Sequence, residues 1–281
     1  NRRKMPLAPG ARAGEEAGQG GLIEPDLIKT QDVPIDPPDR GIYGFFHPTL
    51  GDEPLIFVEV ALMEKSPSTI DEILTDERSI VAGDQARTAV FYSISNCQHG
   101  LSGISFGNSL IKQVVEDLSR DLPHLKTFVT LSPIPGFNRW LAKHAEEVPD
   151  TVVPEIISVV QDAIDRGDAG LIEPYAVDLR YLASHYLVEM KRDDGLPLDP
   201  VTRFHLGNGA MVHDVHAMAD ISPNGLFQSS SVMVNYLYDL SRVEQNHEEF
   251  VADKTVAQSR TMQSILRSGL TDKKTRKTVN G

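Results

Sequence analysis

The stretch from Thr88 to Phe137 limits the possible folds more than any other. Thr88–Ser95 (TAVFYSIS) is dense in β-branched and aromatic residues and predicts a buried strand. It runs into a glycine-rich loop, Gln98–Asn108 (QHGLSGISFGN). A helix over Ser109–Arg120 follows, where Leu110, Ile111, Val114, Val115 and Leu118 recur at helical spacing. Thr127–Leu131 is a second apolar strand and ends at Ser132-Pro133-Ile134-Pro135-Gly136-Phe137. A strand–loop–helix–strand unit buries the helix against one face of a sheet, so the fold class is α/β with a mixed sheet.

The flanking sequence adds to that unit. Ile42–Phe46 and Leu55–Leu62 read as two more strands, joined across the turn-like Thr49-Leu50-Gly51-Asp52. Ser66-Pro67 offers a cap and a first-turn proline for a helix over Ser66–Asp76. Trp140–Lys191 is helical by period, with interruptions at Pro149, Pro154 and Gly167–Gly170. Val201–Asn235 reads as irregular and rich in His, Asn and Gly, and one polar helix is expected over Asn246–Arg267. Residues 1–40 read as a low-complexity, poorly ordered lead-in: Gly, Ala and Pro dominate Pro6–Gly21, and Pro34, Pro37 and Pro38 break any helix. One domain is expected over 41–270, and 271–281 forms a basic tail whose Lys273–Lys277 reads as a solvated end. There is no internal repeat.

Charge and cysteine content exclude some function classes. A net charge of −13 repels a polyanion over most of the surface, so no nucleic-acid partner is expected. An acidic chain can still hold an anionic ligand where backbone N–H groups and positive charge converge locally. Cys97 is the single cysteine, which rules out a disulfide within the chain and any Cys/His zinc spacing, and suits a reducing, cytoplasmic setting. Apolar runs such as Leu55–Val58 are too short to span a bilayer, so no membrane partner is expected.

Three segments have the residues for chemistry. In the loop Gln98–Asn108, glycines at 100, 103 and 107 free N–H groups to point at a phosphate, and the helix dipole behind them favours negative charge. The spacing is neither G-x-G-x-x-G nor a P-loop, and a ligand-free connection has the same composition. In Leu131–Phe137 (LSPIPGF), two prolines stiffen the chain after Ser132 and hold its hydroxyl at a strand end, where it either aims at a ligand or caps a turn. No G-x-S-x-G elbow is present. In Arg203–Asp220 (RFHLGNGAMVHDVHAMAD), His205, His213 and His216 fall within twelve residues beside Asp214 and Asp220. Their spacings match no zinc pattern, H-E-x-x-H is absent, and each histidine also fits a structural role.

Read together, these segments resemble the malonyl-CoA decarboxylase family, bacterial members more closely than animal ones. The stretches that carry the resemblance are GFFHPTLGDEPLIFVEVAL, FYSISNCQHGLSGISFGNSLIKQVVEDL, LPHLKTFVTLSPIPGFNRWL and DPVTRFHLGNGAMVHDVHAMADIS, with the later MVNYLYDL, over roughly Gly41 to Leu240. The resemblance implies a catalytic domain of the GNAT acetyltransferase type that binds coenzyme A beside a splayed mixed sheet. It implies catalytic roles for the serine of SPIPGF, Ser132, and the histidine of FHLxNGA, His205. It implies acyl-CoA contacts at Ser102, Gly103, Ile104, Ser105, Phe106, Gly107 and Asn108, and a homo-oligomer.

The chain also departs from the family. Members usually carry an N-terminal helical domain where this chain has about forty low-complexity residues. Animal relatives have a glutamate at the place of Ser105, and many relatives have an Arg and an Asn-Trp pair where Asp214, His216 and Ala217 stand.

The activity implied is conversion of malonyl-CoA to acetyl-CoA and CO2. The thioester is itself the electron sink, so no metal or organic cofactor is expected. The enzyme must supply donors toward the enolate oxygen and a proton for the α-carbon, and Ser132 and His205 are the residues expected to do so. Two other functions fit the same unit: acyl transfer from CoA to an amine, and a non-catalytic acyl-CoA-binding module.

Overall fold

The computed structural model describes residues 29–34, 39–46, 54–75, 78–96, 107–144 and 153–269. They form a mixed sheet with helices on it. Its strands are β1 (Lys29–Pro34), β2 (Arg40–Phe46), β3 (Pro54–Met63), β4 (Thr88–Asn96), β5 (Thr127–Thr130), β6 (Ser132–Pro133), β7 (Met211–His216) and β8 (Met233–Leu237). β1 to β4 make an antiparallel meander, and β5 then joins β4 in parallel. β8 pairs antiparallel with β5 and β6 on one side and with β7 on the other. The parallel register runs only from Thr88↔Thr127 to Phe91↔Thr130, whereas β4 continues to Asn96 along β3 alone. The sheet therefore splays where β5 gives way to β6.

The crossover from β4 to β5 is α2 (Gly107–Asp121), as the apolar stripe predicts. Ile111, Val114, Val115 and Leu118 are buried against Ala89, Phe91 and Phe128 in the main core, each worth about 1.5–3 kcal/mol relative to exposure. Strand alternation divides the sheet's two faces. Val90, Val129, Leu131 and Met233 point the other way, into a smaller core closed by Ile73 of the short helix α1 (Asp71–Leu74) and by Ala219. The main core is completed by α3 (Phe137–His144), α4 (Val153–Arg166), a 3-10 turn at Ala169–Tyr175, α5 (Ala176–Val188) and α6 (Pro200–Gly207). The remaining helices are α7 (Pro223–Ser229), α8 (Val243–Asp253) and α9 (Arg260–Ser268).

Several sequence expectations need correction. The ordered chain begins before Gly41, because β1 pairs along its length with β2, and the proline that breaks a helix at position 34 is tolerated as the last strand residue. The helix expected over Ser66–Asp76 shrinks to Asp71–Leu74. There the Ser68 N–H and hydroxyl (3.0 and 2.7 Å) and the Thr69 N–H (3.2 Å) bond the Glu72 carboxylate and hold the preceding residues in a turn. Pro154 opens α4 instead of interrupting it. Val201–Asn235 is regular, since it holds most of α6 and all of β7 and α7, and runs into β8. The polar helix expected over Asn246–Arg267 is two helices, broken at Lys254 in the left-handed region (φ 59°). The linker between them lies along β7 instead, with Val212 N–H donating to Ala257 O at 2.9 Å. The turn at Thr49–Asp52, Pro149, Cys97 and the tail Lys273–Lys277 lie outside the described residues.

Candidate functional site

The end of β5 and the end of α6 meet beside β8. Asp199 caps α6 by accepting the Thr202 N–H at 2.8 Å, and Pro200 sets its first turn. Two turns on, His205 faces inward at the helix's C-terminal end. The helix stops at Gly209 (φ 78°), where a Cβ would collide with the Val243 carbonyl, so only glycine fits this turn. Asn246 Nδ2 donates to Gly209 O at 3.1 Å, and His247 Nδ1 donates to Gly207 O at 2.9 Å, so α8 braces the end of α6.

Ser132 opens β6, opposite Val234 of β8, and the next residue, Pro133, pairs with Met233. Gly136 closes the same segment. A Cβ there would overlap the Tyr186 hydroxyl and lie 3.9 Å from Asp199 Oδ2, so the missing side chain lets the serine segment nestle against the cap of the histidine helix.

Ser132 Oγ is 3.3 Å from His205 Nε2 across 73 residues of sequence, and both side chains are buried. Ser132 Oγ donates to Thr130 Oγ1 at 2.9 Å, and Thr130 Oγ1 also accepts the Tyr236 N–H at 3.2 Å. The other imidazole nitrogen, His205 Nδ1, is 2.8 Å from the Tyr238 hydroxyl. If Tyr238 donates to Nδ1, Nε2 carries the proton and points it at Ser132. If Nδ1 donates to Tyr238, Nε2 becomes the acceptor. The Ser132-to-Thr130 bond fits the first state. Burial alone pulls the His205 pKa down to about 3, so the imidazole is neutral near pH 7. Burial likewise pushes the Tyr238 hydroxyl well above the usual tyrosine range. A phenol therefore orients this imidazole where a serine-hydrolase relay has a carboxylate, and nothing bonded to it favours an imidazolium. The pair is suited to donating a hydrogen bond or a proton to an oxygen or carbon that gains negative charge beside Nε2.

The other histidines do not join it. His216 Nε2 donates to Asn235 Oδ1 at 2.6 Å, and Asn235 Nδ2 donates to Thr130 O at 2.8 Å. Asp214 is bound to Arg180 at 2.6 Å, and Asp220 accepts the Ser222 N–H at 3.0 Å. His213 Nδ1 is buried and has no hydrogen-bond partner among the described residues. No group of three His, Cys, Asp or Glu is arranged to hold a metal among the described residues. Of the glycine-loop positions, Ser102, Gly103, Ile104, Ser105 and Phe106 lie outside the described residues; Gly107 and Asn108 begin α2. Thr130 and Tyr238 were not apparent from sequence reasoning. The alternation of Tyr236 and Tyr238 in MVNYLYDL was the available signal, since it puts both rings on the face that holds His205.

The family described as malonyl-CoA decarboxylase C-terminal domain matches residues 30–277. The crystal structure of malonyl-CoA decarboxylase from Rhodopseudomonas palustris superposes with a TM-score of 0.76 at 41% identity, covering 86% of this chain and 63% of that one. That from Agrobacterium vitis gives 0.78 at 39% identity, covering 87% and 68%. The mitochondrial malonyl-CoA decarboxylase of Anser anser anser is 34% identical over 253 residues, which is 82% of this chain and 50% of the relative. The chain thus spans about half the length of the curated relatives it matches. No helix among the described residues is long and apolar enough to cross a membrane.

Proposed function

This chain belongs to the malonyl-CoA decarboxylase family, and on that premise we propose that it converts malonyl-CoA to acetyl-CoA and CO2. The observation that carries the reading is the buried contact of 3.3 Å between Ser132 Oγ and His205 Nε2, made by the two motif residues at the splayed end of the sheet. In the reaction the bond between the α-carbon and the carboxylate breaks, and CO2 leaves without its bonding electrons. Those electrons pass to the thioester as an enolate, and the α-carbon then takes a proton. His205, neutral and with Nε2–H turned toward Ser132 by the Tyr238 bond to Nδ1, donates toward the enolate and supplies that proton. Ser132 holds the malonyl carboxylate or the thioester oxygen beside it. An aimed donor of this kind is worth about 2.7–4 kcal/mol in the transition state.

Ser102, Gly103, Ile104, Ser105, Phe106, Gly107 and Asn108 are the residues we assign to the CoA moiety. In this reading the free N–H groups and dipole at the start of α2 bind the pyrophosphate. The thioester is the only electron sink in this scheme, so no added cofactor is assigned. We further assign a cytoplasmic setting, a homo-oligomeric state and no nucleic-acid partner. Fractionation, light scattering and a shift assay, respectively, test these.

The decisive experiment is incubation of the purified chain with malonyl-CoA and no acyl acceptor. Acetyl-CoA and CO2 in equal amounts support the reading. Transfer that appears only when an amine is added favours acyl transfer, and tight binding with no product favours a binding module.

A further inference from the structure

Beyond the pair itself, a second row of polar groups runs from the N-cap of α6 to β8 and does not touch the reacting position. Asp199, Thr202 and Tyr236 are fully buried. Asp199 Oδ1 accepts both the Thr202 N–H at 2.8 Å and the Thr202 hydroxyl at 3.1 Å. Thr202 Oγ1 is 2.7 Å from the Tyr236 hydroxyl. Threonine has one hydroxyl proton, and Asp199 takes it, so the Tyr236 O–H donates to Thr202 Oγ1. The row therefore has one direction, from Tyr236 through Thr202 to the carboxylate, and every proton in it is used once. At its far end the Tyr236 ring lies flat against the His205 imidazole, with centroids 4.3 Å apart and planes 23° apart. Phe204 meets the same imidazole edge-on, at 5.1 Å and 77°.

We infer that the Asp199–Thr202–Tyr236 row is a positioning device for His205, fixing the plane of the imidazole while Tyr238 fixes its rotation. The two restraints are independent. A bond to Nδ1 decides which nitrogen faces Ser132, but it lets the ring tilt about that bond. A flat ring stacked at 4.3 Å removes the tilt, provided the phenol is itself held, and the bond to Thr202 holds it. Because Asp199 also caps α6, one buried carboxylate sets both where the helix begins and where the ring it carries can lie. The inference rests on the role given to His205 above and adds the residues that aim it.

The test uses the full chain with Tyr236→Phe, Thr202→Val and Thr202→Ser, each checked for unchanged circular dichroism. Tyr236→Phe keeps the stacked ring but frees it from the row, and Thr202→Val cuts the row at its middle. Both are expected to lower kcat for acetyl-CoA formation by about tenfold with KM held within about twofold, as a loss of aim without a loss of binding does. Thr202→Ser restores the bond and is expected to bring kcat back. The second readout is the pair of His205 ring 15N shifts, which report tautomer and hydrogen bonding without any turnover. They are expected to move in Tyr236→Phe and Thr202→Val and to return in Thr202→Ser. Unchanged kcat with unchanged 15N shifts in both variants overturns the inference, as does a rise in KM that accounts for the whole loss. A parent protein that makes no acetyl-CoA refutes the proposed reaction, and the 15N shifts still decide whether the row positions His205.

Discussion

Two histidine-bearing stretches sit side by side in the sequence and differ sharply in the fold. His205, on α6, is buried, bonded at both ring nitrogens to hydroxyls, and stacked on a tyrosine. His213 and His216, on β7, are only partly buried; one leaves a ring nitrogen without a hydrogen bond among the described residues, and the other bonds an asparagine. The segment with more histidines and acids is thus the one that assembles no site among the described residues. An imidazole becomes chemically useful when burial keeps it neutral and neighbours fix both its nitrogens, and histidine density in the sequence reports neither.

Substitutions put that contrast at risk. His205→Asn is expected to cost the most, about 10²–10⁴-fold in kcat with CoA affinity retained, and wild-type turnover would refute the assignment. Ser132→Ala should follow at about 10²–10³-fold, read in the same assay. Tyr238→Phe removes the bond to Nδ1 but keeps the ring, and a loss of about tenfold is expected. His216→Asn, on the other stretch, is expected to stay within about twofold. A loss there as deep as that of His205→Asn would erase the distinction.

The same contrast has a pH signature. The folded pKa of His205, about 3, lies below its unfolded value, so across that window the unfolded chain binds a proton that the folded chain refuses. Stability is therefore full above about pH 6.5 and falls with acidity, by up to about 1.4 kcal/mol per pH unit from this group. Burial shifts His185 and His213 in the same direction, so the useful quantity is a difference in slope. Urea unfolding between pH 6.5 and 4.5 should give a shallower decline for His205→Gln than for the parent. Equal slopes would mean that His205 is not desolvated.

The central unit was legible because its signals are local and long. β4 is nine residues rich in β-formers and α2 is fifteen residues with one clear stripe. The region from α6 to β8 was not. Its helices are only eight and seven residues long, too short for a period to emerge, and β8 gains its identity from partners in β5, β6 and β7. β1 was hidden in the same way, since a proline-rich stretch becomes a strand only when β2 is beside it. Ser132 and His205 were candidates within their own segments, but only family resemblance paired them, because no spacing rule reaches across 73 residues. Thr130 and Tyr238 have polar handles that look like ordinary strand residues until their partners are known.

The glycine turn that ends α6 has a further consequence, for the order in which the protein is made. It packs against the Val243 carbonyl and is held by Asn246 and His247, which leave the ribosome more than thirty residues later. A nascent chain that already contains both Ser132 and His205 lacks the α8 brace on the end of α6, the helix that carries His205, until α8 is synthesised. The brace on the end of α6 thus arrives late in translation, with α8 as the latch.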